Sequence, residues 1–269
     1  VTLIIMASRV AMVLAWAAGV SGFRVGYSAS LTQSQIVVPS SRYGSCSAAA
    51  VVAVRGGRRS SAGASVGTRM VGDDDLVDGE EAPLVVEEFG SATEHREFLK
   101  SIGDLPQGFR VGNADLTFTP AENPDMSDLP MRLTLMTLDQ PTNSWTALFT
   151  KNVFPGAPVL VGRSRLAKGT PLQAIIVNNK VSNVCAGGPS GAGVDAAEEV
   201  CANIAAELGL ESGSMVLPCS TGVIGWALPK KAIVSAVPLA VAARQPVSAF
   251  PAAEGIMTTD RYPKLRSVT

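Results

Sequence analysis

Residues 174–225 read AIIVNNKVSNVCAGGPSGAGVDAAEEVCANIAAELGLESGSMVLPCSTGVIG, and the order of patterns inside them decides the fold class. The run 174–178 (AIIVN) is short, apolar and β-branched, as a buried strand is. A polar loop follows, passing through GGPSGAG at 187–193. From Asp195 onward, Ala197, Val200, Cys201, Ile204 and Leu208 fall on one helical stripe, and Gly209 is placed to end the helix. Asp195 and Glu198 stand at the spacing of a capping box, so the helix is expected to begin at Asp195. Residues 214–219 (SMVLPC) read as a second strand and 220–225 (STGVIG) as a tight turn. Strand, loop, helix, strand and turn in succession predict an α/β fold built in layers.

Upstream of this stretch, 133–138 (LTLMTL) and 146–150 (TALFT) read as strands separated by the turn-forming residues 139–144. Residues 92–99 open a short helix, and the globular domain is expected to begin near Gly103. Downstream, a helix starts at Lys230 and is expected to break near Pro238, which has no N–H to continue the ladder. No internal repeat is visible.

Of the 269 residues, 46% are hydrophobic and 17% charged, enough apolar material for a substantial core. Aromatics make up only 5%, while small residues abound, which suits closely packed α/β layers. The net charge of −1 argues against a nucleic-acid partner, because phosphate binding needs a concentrated basic surface.

Charge is unevenly spread. No acidic residue precedes Asp73, whereas arginine occurs at 9, 24, 42, 55, 58, 59 and 69 amid many Ser, Ala and Gly. Acid-poor, Arg-rich and Ser-rich is the composition of a transit peptide, so 1–72 is expected to be an unfolded targeting leader. Residues 10–20 (VAMVLAWAAGV) have the length of a signal-peptide apolar core and fall short of the roughly 20 residues of a membrane span. A signal segment before a transit segment, with Phe23 near the junction, predicts the plastid stroma, the mitochondrial matrix being the alternative; no membrane is expected for the mature protein. An over-extended reading frame is the competing account of this region. The acidic DDDLVDGEE at 73–81 reads as the start of a linker, which with the short helix occupies 73–102, leaving 103–269 as the domain. Beyond Cys46, the cysteines Cys185, Cys201 and Cys219 show neither CxxC spacing nor an even count, and suggest no disulfide framework and no zinc site.

The single histidine, His95, lies in the charged segment EHREF, so mechanisms that need a positioned imidazole are disfavoured. No metal and no cofactor is expected. The glycine cluster GGPSGAG lacks a Walker lysine and a dinucleotide spacing, and a plain loop is favoured over a nucleotide cradle. In STGVIG a strand ending in hydroxyl residues and glycine can aim a hydroxyl and backbone N–H groups into a cleft, as an oxyanion hole requires. Ser, Thr and Gly also populate ordinary turns, and taken by themselves these residues favour that reading. Thr258-Thr259-Asp260 likewise reads, by itself, as a polar turn or cap.

Taken in order, however, four segments resemble the ornithine (glutamate) N-acetyltransferase family of arginine synthesis. LPQGF at 105–109 resembles its P-x-G-F; FTKN at 149–152 with APV at 157–159 resembles its F-T-x-N and A-P-V; STGVIG at 220–225 resembles its S-T-G-V-I-G; IMTTD at 256–260 with Pro263-Lys264 resembles its I-M-T-T-D-T-x-P-K. The resemblance runs from about Leu105 to Lys264, roughly the first half of the family's catalytic protein. Between 177 and 187 the family reads V-N-S-G-N-A-N-A-C-T-G where this chain has VNNKVSNVCAG, keeping Asn178, Asn183, Cys185 and Gly187.

The resemblance implies an N-terminal-nucleophile-like layered fold, of which only the first half is expected here. It implies a chain that cleaves itself before a threonine in a K-G-x-G-M…M-A-T segment, freeing that threonine as nucleophile with its own amine as base. It implies acetyl transfer from N-acetylornithine to glutamate through an acetyl-threonine intermediate, and leaves open whether acetyl-CoA is also a donor. Thr221 through its hydroxyl and Gly222 through its N–H would form the oxyanion hole, Thr258 or its neighbour Thr259 would contact substrate, and a beta chain of the same precursor would be the partner. The nucleophile threonine is absent from 1–269, which contain no K-G-x-G-M segment, so this chain alone is expected to be inactive. A noncatalytic remnant, or an amino-acid-binding regulatory subunit with the same half-fold, is the rival expectation.

Overall fold

The computed structural model describes residues 89–265 throughout and, within 1–88, the backbone of five strands. The chain divides into two compact units, Val1–Gly19 with Ser91–Thr269, and Val20–Gly90. In the second unit β3 (Gly26–Ser30), β4 (Gln33–Val37) and β5 (Val51–Val54) form an antiparallel meander. In the first, β1 (Thr2–Ala7) and β2 (Ala11–Trp16) form an antiparallel pair, β2 lying inside the apolar run 10–20. The rest of the expected leader and the acidic linker through residue 88 lie outside the described residues, as does Thr269.

The domain begins with α1 (Ala92–Ser101), whose N-terminus is capped by the Ser91 hydroxyl accepting from the Glu94 N–H at 3.1 Å. There follow β6 (Phe109–Phe118), β7 (Leu129–Thr142), β8 (Trp145–Phe149), α2 (Ala157–Ala167), β9 (Leu172–Asn178), α3 (Ala192–Leu208), β10 (Val216–Ser220), α4 (Lys230–Ala242) and α5 (Phe250–Gly255). Four strands form one sheet in the order β10-β9-β7-β6, with β10 parallel to β9 and the other pairs antiparallel. β8 lies outside it and pairs with β1.

Alternation along each strand sorts side chains onto the two faces of this sheet. Ala174 and Ile176 of β9 join Leu133 and Leu135 of β7 in a core completed by Val200, Ile204, Ile233 and Val237 of α3 and α4. Ile175 and Val177 point the other way, joining Met136, Leu217, Trp145 of β8 and Ala252 of α5. Helix, sheet and a second covering layer give the α/β layering expected from 174–225.

Four expectations need correction. β7 continues through Thr142, so most of the presumed turn at 139–144 is strand, with a register irregularity between Thr137 and Thr142 that absorbs Pro141. α3 starts three residues before Asp195: Gly191 is its N-cap with φ +90°, no side chain caps it, and the Asp195 N–H already bonds the Gly191 carbonyl. The capping box therefore does not form, and Glu198 pairs instead with the buried Arg165 of α2 at 2.5 Å. α4 runs through Pro238. The proline removes one ladder bond at a cost of about 3 kcal/mol, which burial of Ile233, Ala236, Val237 and Ala240 against the sheet outweighs. β10 begins at Val216, after a 3-10 turn over Gly213–Met215. The other end of α3 matches expectation, with Gly209 at φ +68° as its C-cap.

Candidate functional site

The loops that follow the parallel strands β9 and β10 continue side by side beyond the sheet. The Thr221 N–H donates to the Asn178 carbonyl at 3.0 Å, Val223 to Lys180 at 2.8 Å, Ser182 back to Val223 at 2.9 Å and Gly225 to Val184 at 2.9 Å. STGVIG is thus more than a turn: its first residues extend β10 along residues 178–184, with a parallel bridge between Val181 and Val223. In such a ladder alternate N–H groups face opposite sides. Thr221 and Val223 spend theirs on the neighbouring loop, and the Gly222 N–H between them has no acceptor among the described residues.

Gly222 is also where only glycine fits. Its φ is +125°, and a Cβ there would overlap the carbonyl group of Lys180. Thr221 is 5% exposed, while Gly222, Val223 and Ile224 are open to solvent. The Gly222 N–H therefore faces the free edge of the sheet at the carboxyl end of a strand, beside the buried Thr221; the Ile224 N–H, two residues on, likewise has no acceptor among the described residues.

Two adjacent asparagines at the end of β9 organise the surroundings. Asn178 accepts from the Ser220 hydroxyl at 2.6 Å and donates to the Val181 carbonyl at 2.8 Å. Asn179 accepts from the Arg132 N–H at 2.6 Å and donates to the Met257 carbonyl at 2.9 Å. Thr258 and Thr259 directly follow Met257. The Thr258 N–H bonds Asp260 at 3.2 Å, Asp260 pairs with Lys264, and Thr259 is exposed. Burial by itself raises the Asp260 carboxyl, but the Lys264 ammonium and the Thr258 N–H hold it below the ordinary carboxylate value. The structure thus attaches both candidate segments to one strand end. Among the described residues no hydrogen bond joins Thr221 or Gly222 to Thr258 or Thr259 directly.

The divergent loop carries three non-glycine residues with positive φ: Lys180 at +86°, Asn183 at +53° and Cys185 at +50°. Asn183, 1% exposed, donates to the Gly193 carbonyl at 2.9 Å and accepts from the chain nowhere through Oδ1 among the described residues. GGPSGAG lies beside an open cleft of about 290 Å³ lined by Gly187, Gly193, Asp195, Ala227 and Lys230. Cys185 is exposed; burial pushes the Cys201 thiol up to about 11 and Cys219 to about 12. His95 sits on α1 with its ring edge against Tyr262, centroids 5.3 Å apart. Among the described residues no cluster of His, Cys, Asp and Glu could hold a metal ion, and no helix is long and apolar enough to cross a membrane.

Sequence patterns alone did not single out Asn179, which serves here as the link between β7, β9 and the 257–260 loop. Its only signal was its place at the end of a buried strand next to a second asparagine.

Fold and site together define a layered α/β protein whose candidate chemistry rests on loop N–H and hydroxyl groups at strand ends. The chain belongs to the ArgJ family, whose sequence profile matches residues 126–269. It is 39% identical over 134 residues to the arginine biosynthesis bifunctional protein ArgJ of Psychrobacter arcticus, covering 49% of this chain and 32% of that protein. The chain thus spans about a third of the length of this curated relative. Among solved structures it is similar to the ornithine acetyltransferase of Mycobacterium tuberculosis complexed with ornithine, at 29% identity and a TM-score of 0.49, over 60% of this chain and 82% of the other. It is also similar to the arginine biosynthesis bifunctional protein argJ of Bacillus halodurans, at 25% identity and a TM-score of 0.46, over 60% and 78% of the two chains.

Proposed function

We propose that this chain supplies the oxyanion-binding and substrate-contacting part of a glutamate N-acetyltransferase of arginine biosynthesis, which moves the acetyl group of N-acetylornithine to glutamate. The observation that carries the reading is the Gly222 N–H, left without an acceptor between two committed neighbours at the edge of β10, in a chain of the ArgJ family.

In this reading a threonine hydroxyl from outside residues 1–269 attacks the acetyl carbonyl carbon of N-acetylornithine. Its proton passes to the free amine of the same threonine. The tetrahedral oxyanion is met by the Gly222 N–H and the Thr221 hydroxyl, donors held in place before charge develops. The carbon–nitrogen bond then breaks, the proton goes to the leaving amine, and ornithine departs with acetyl left on the threonine oxygen. The amine of glutamate attacks that ester through a second oxyanion at the same donors, giving N-acetylglutamate and restoring the threonine. Thr258, with Thr259 beside it, contacts the amino-acid substrate. The catalytic partner is the beta chain released from the same precursor by autocleavage, the compartment is the plastid stroma, and chain 1–269 by itself transfers no acetyl group.

The test is steady-state transfer from N-acetylornithine to glutamate by the full-length protein, with acetyl-CoA assayed as a second donor. Thr221→Val, which keeps shape and loses the hydroxyl, is expected to lower kcat by about 100- to 1,000-fold. An unchanged kcat in a folded variant would remove Thr221 from the oxyanion hole.

A further inference from the structure

We infer that Asn179 is a positioning residue that sets where Thr258 stands relative to Gly222, an inference that rests on the functional reading above. Successive residues at a strand end project to opposite sides. Asn178 accordingly serves the end of β10 through Ser220, and Asn179 serves the loop after α5 through Met257. Asn179 is 7% exposed, and its amide is used at both ends: Oδ1 takes the Arg132 N–H and Nδ2 gives to the Met257 carbonyl. Its backbone N–H adds a third bond, to the Arg132 carbonyl at 3.2 Å.

The side chain thereby imitates one more residue of strand, clamped to β7 on one side and holding the 257–260 loop on the other. On its near side that loop hangs from the end of α5, where Ile256 bonds Ala252 and Met257 bonds Glu254. The Met257 carbonyl is where it is fastened to the sheet. A serine at this position, as in the family pattern resembled by residues 177–187, has one short hydroxyl and cannot satisfy Arg132 and Met257 together. The tether is a property of this chain, and it fixes substrate placement without touching the oxyanion donors.

The prediction separates binding from chemistry. In the full-length protein Asn179→Ser, which shortens the arm, and Asn179→Asp, which keeps an acceptor for Arg132 but has no donor for Met257, are each expected to raise the KM for the amino-acid substrate. The expected rise is roughly five- to tenfold, the worth of about one hydrogen bond, with kcat within about twofold of the parent on the same estimate. Hydrogen–deuterium exchange at Thr258, whose N–H is held by Asp260, is expected to accelerate in both variants. Unchanged exchange at 257–260 overturns the tether, and so does a fall in kcat with KM unchanged. Should neither variant fold, the wild type decides: its Asn179 side-chain amide protons are expected to exchange slowly, and rapid exchange overturns the inference. A wild-type enzyme that transfers no acetyl group sinks the functional reading and leaves the exchange result to judge the tether.

Discussion

At the scale of single residues, backbone conformation carries the sharpest consequences. Gly222 is held at φ +125° with its Cα against the Lys180 carbonyl group. Gly222→Ala must strain the backbone and push the two loops apart, and is expected to cost about 1–3 kcal/mol. Denaturant unfolding of the variant against its parent measures this, and no loss would mean that the loops are not in contact. Lys180 is the converse case, a side-chain-bearing residue at φ +86° where the family pattern resembled by 177–187 has glycine. Lys180→Gly relieves that strain, though it loosens the unfolded chain. The net expectation is a gain of about 1 kcal/mol, read from the same unfolding curves. The strained lysine and the obligatory glycine face one another across one contact, so the two substitutions are expected to be non-additive when combined.

At the scale of elements, α5 governs the approach to the 257–260 loop. It lies on the sheet because Gly255 has no side chain: a Cβ there would overlap the Thr134 hydroxyl, and Asn113, the cross-strand partner of Thr134, donates to the Pro251 carbonyl at 2.7 Å. Gly255→Ala is expected to lift the helix and lower stability by about 1–3 kcal/mol. Exchange should accelerate across 250–260 and not in α3. Equal protection in parent and variant would show that the sheet yields there and the helix does not move. α3 is held differently, by an apolar face and by the pairing of Arg165 with Glu198 at its side. Asp195 remains in its first turn, where a carboxylate favours the helix dipole although it makes no cap.

At the scale of the whole molecule, pH ties the site to stability at two ends. The folded-state value of Asp260 is held low, so its contribution is present above the ordinary carboxylate range and is lost as pH falls through the lowered value. Asp260→Asn is expected to flatten the acid limb of the stability curve; an unaltered limb would assign acid loss to other carboxylates. At the alkaline end the signs reverse. Cys201 and Cys219 are raised from about 9 to about 11 and 12 by burial, so the folded state holds their protons more tightly than the unfolded chain. Stability is fully present below pH about 9 and declines as pH rises above it. Alkylation mapped by mass spectrometry at pH 8 is expected to label Cys185 rapidly and these two only on unfolding. Rapid native labelling of Cys219 would mean that the core around β10 opens.

The local sequence by itself determined β9, the apolar stripe and glycine stop of α3, most of β10 and the layered class they imply, because periodicity and helix punctuation act within a few residues. Ordered short motifs also marked Thr221, Gly222, Thr258 and Thr259 as candidates. Only the tertiary structure decided which N–H groups of STGVIG, Gly222 among them, are left without an acceptor, since that depends on residues 178–184 lying alongside it. It decided where α3 begins, because Glu198 is drawn to Arg165 of another element. It allowed α4 to run through Pro238, where burial against the sheet outweighs a missing bond. β6, α2 and α5 lacked a clear local signature and are defined by what they cover. The role of Asn179 is of the same kind, for Arg132 and Met257 lie far from it in the chain and meet it only when the sheet and α5 are in place.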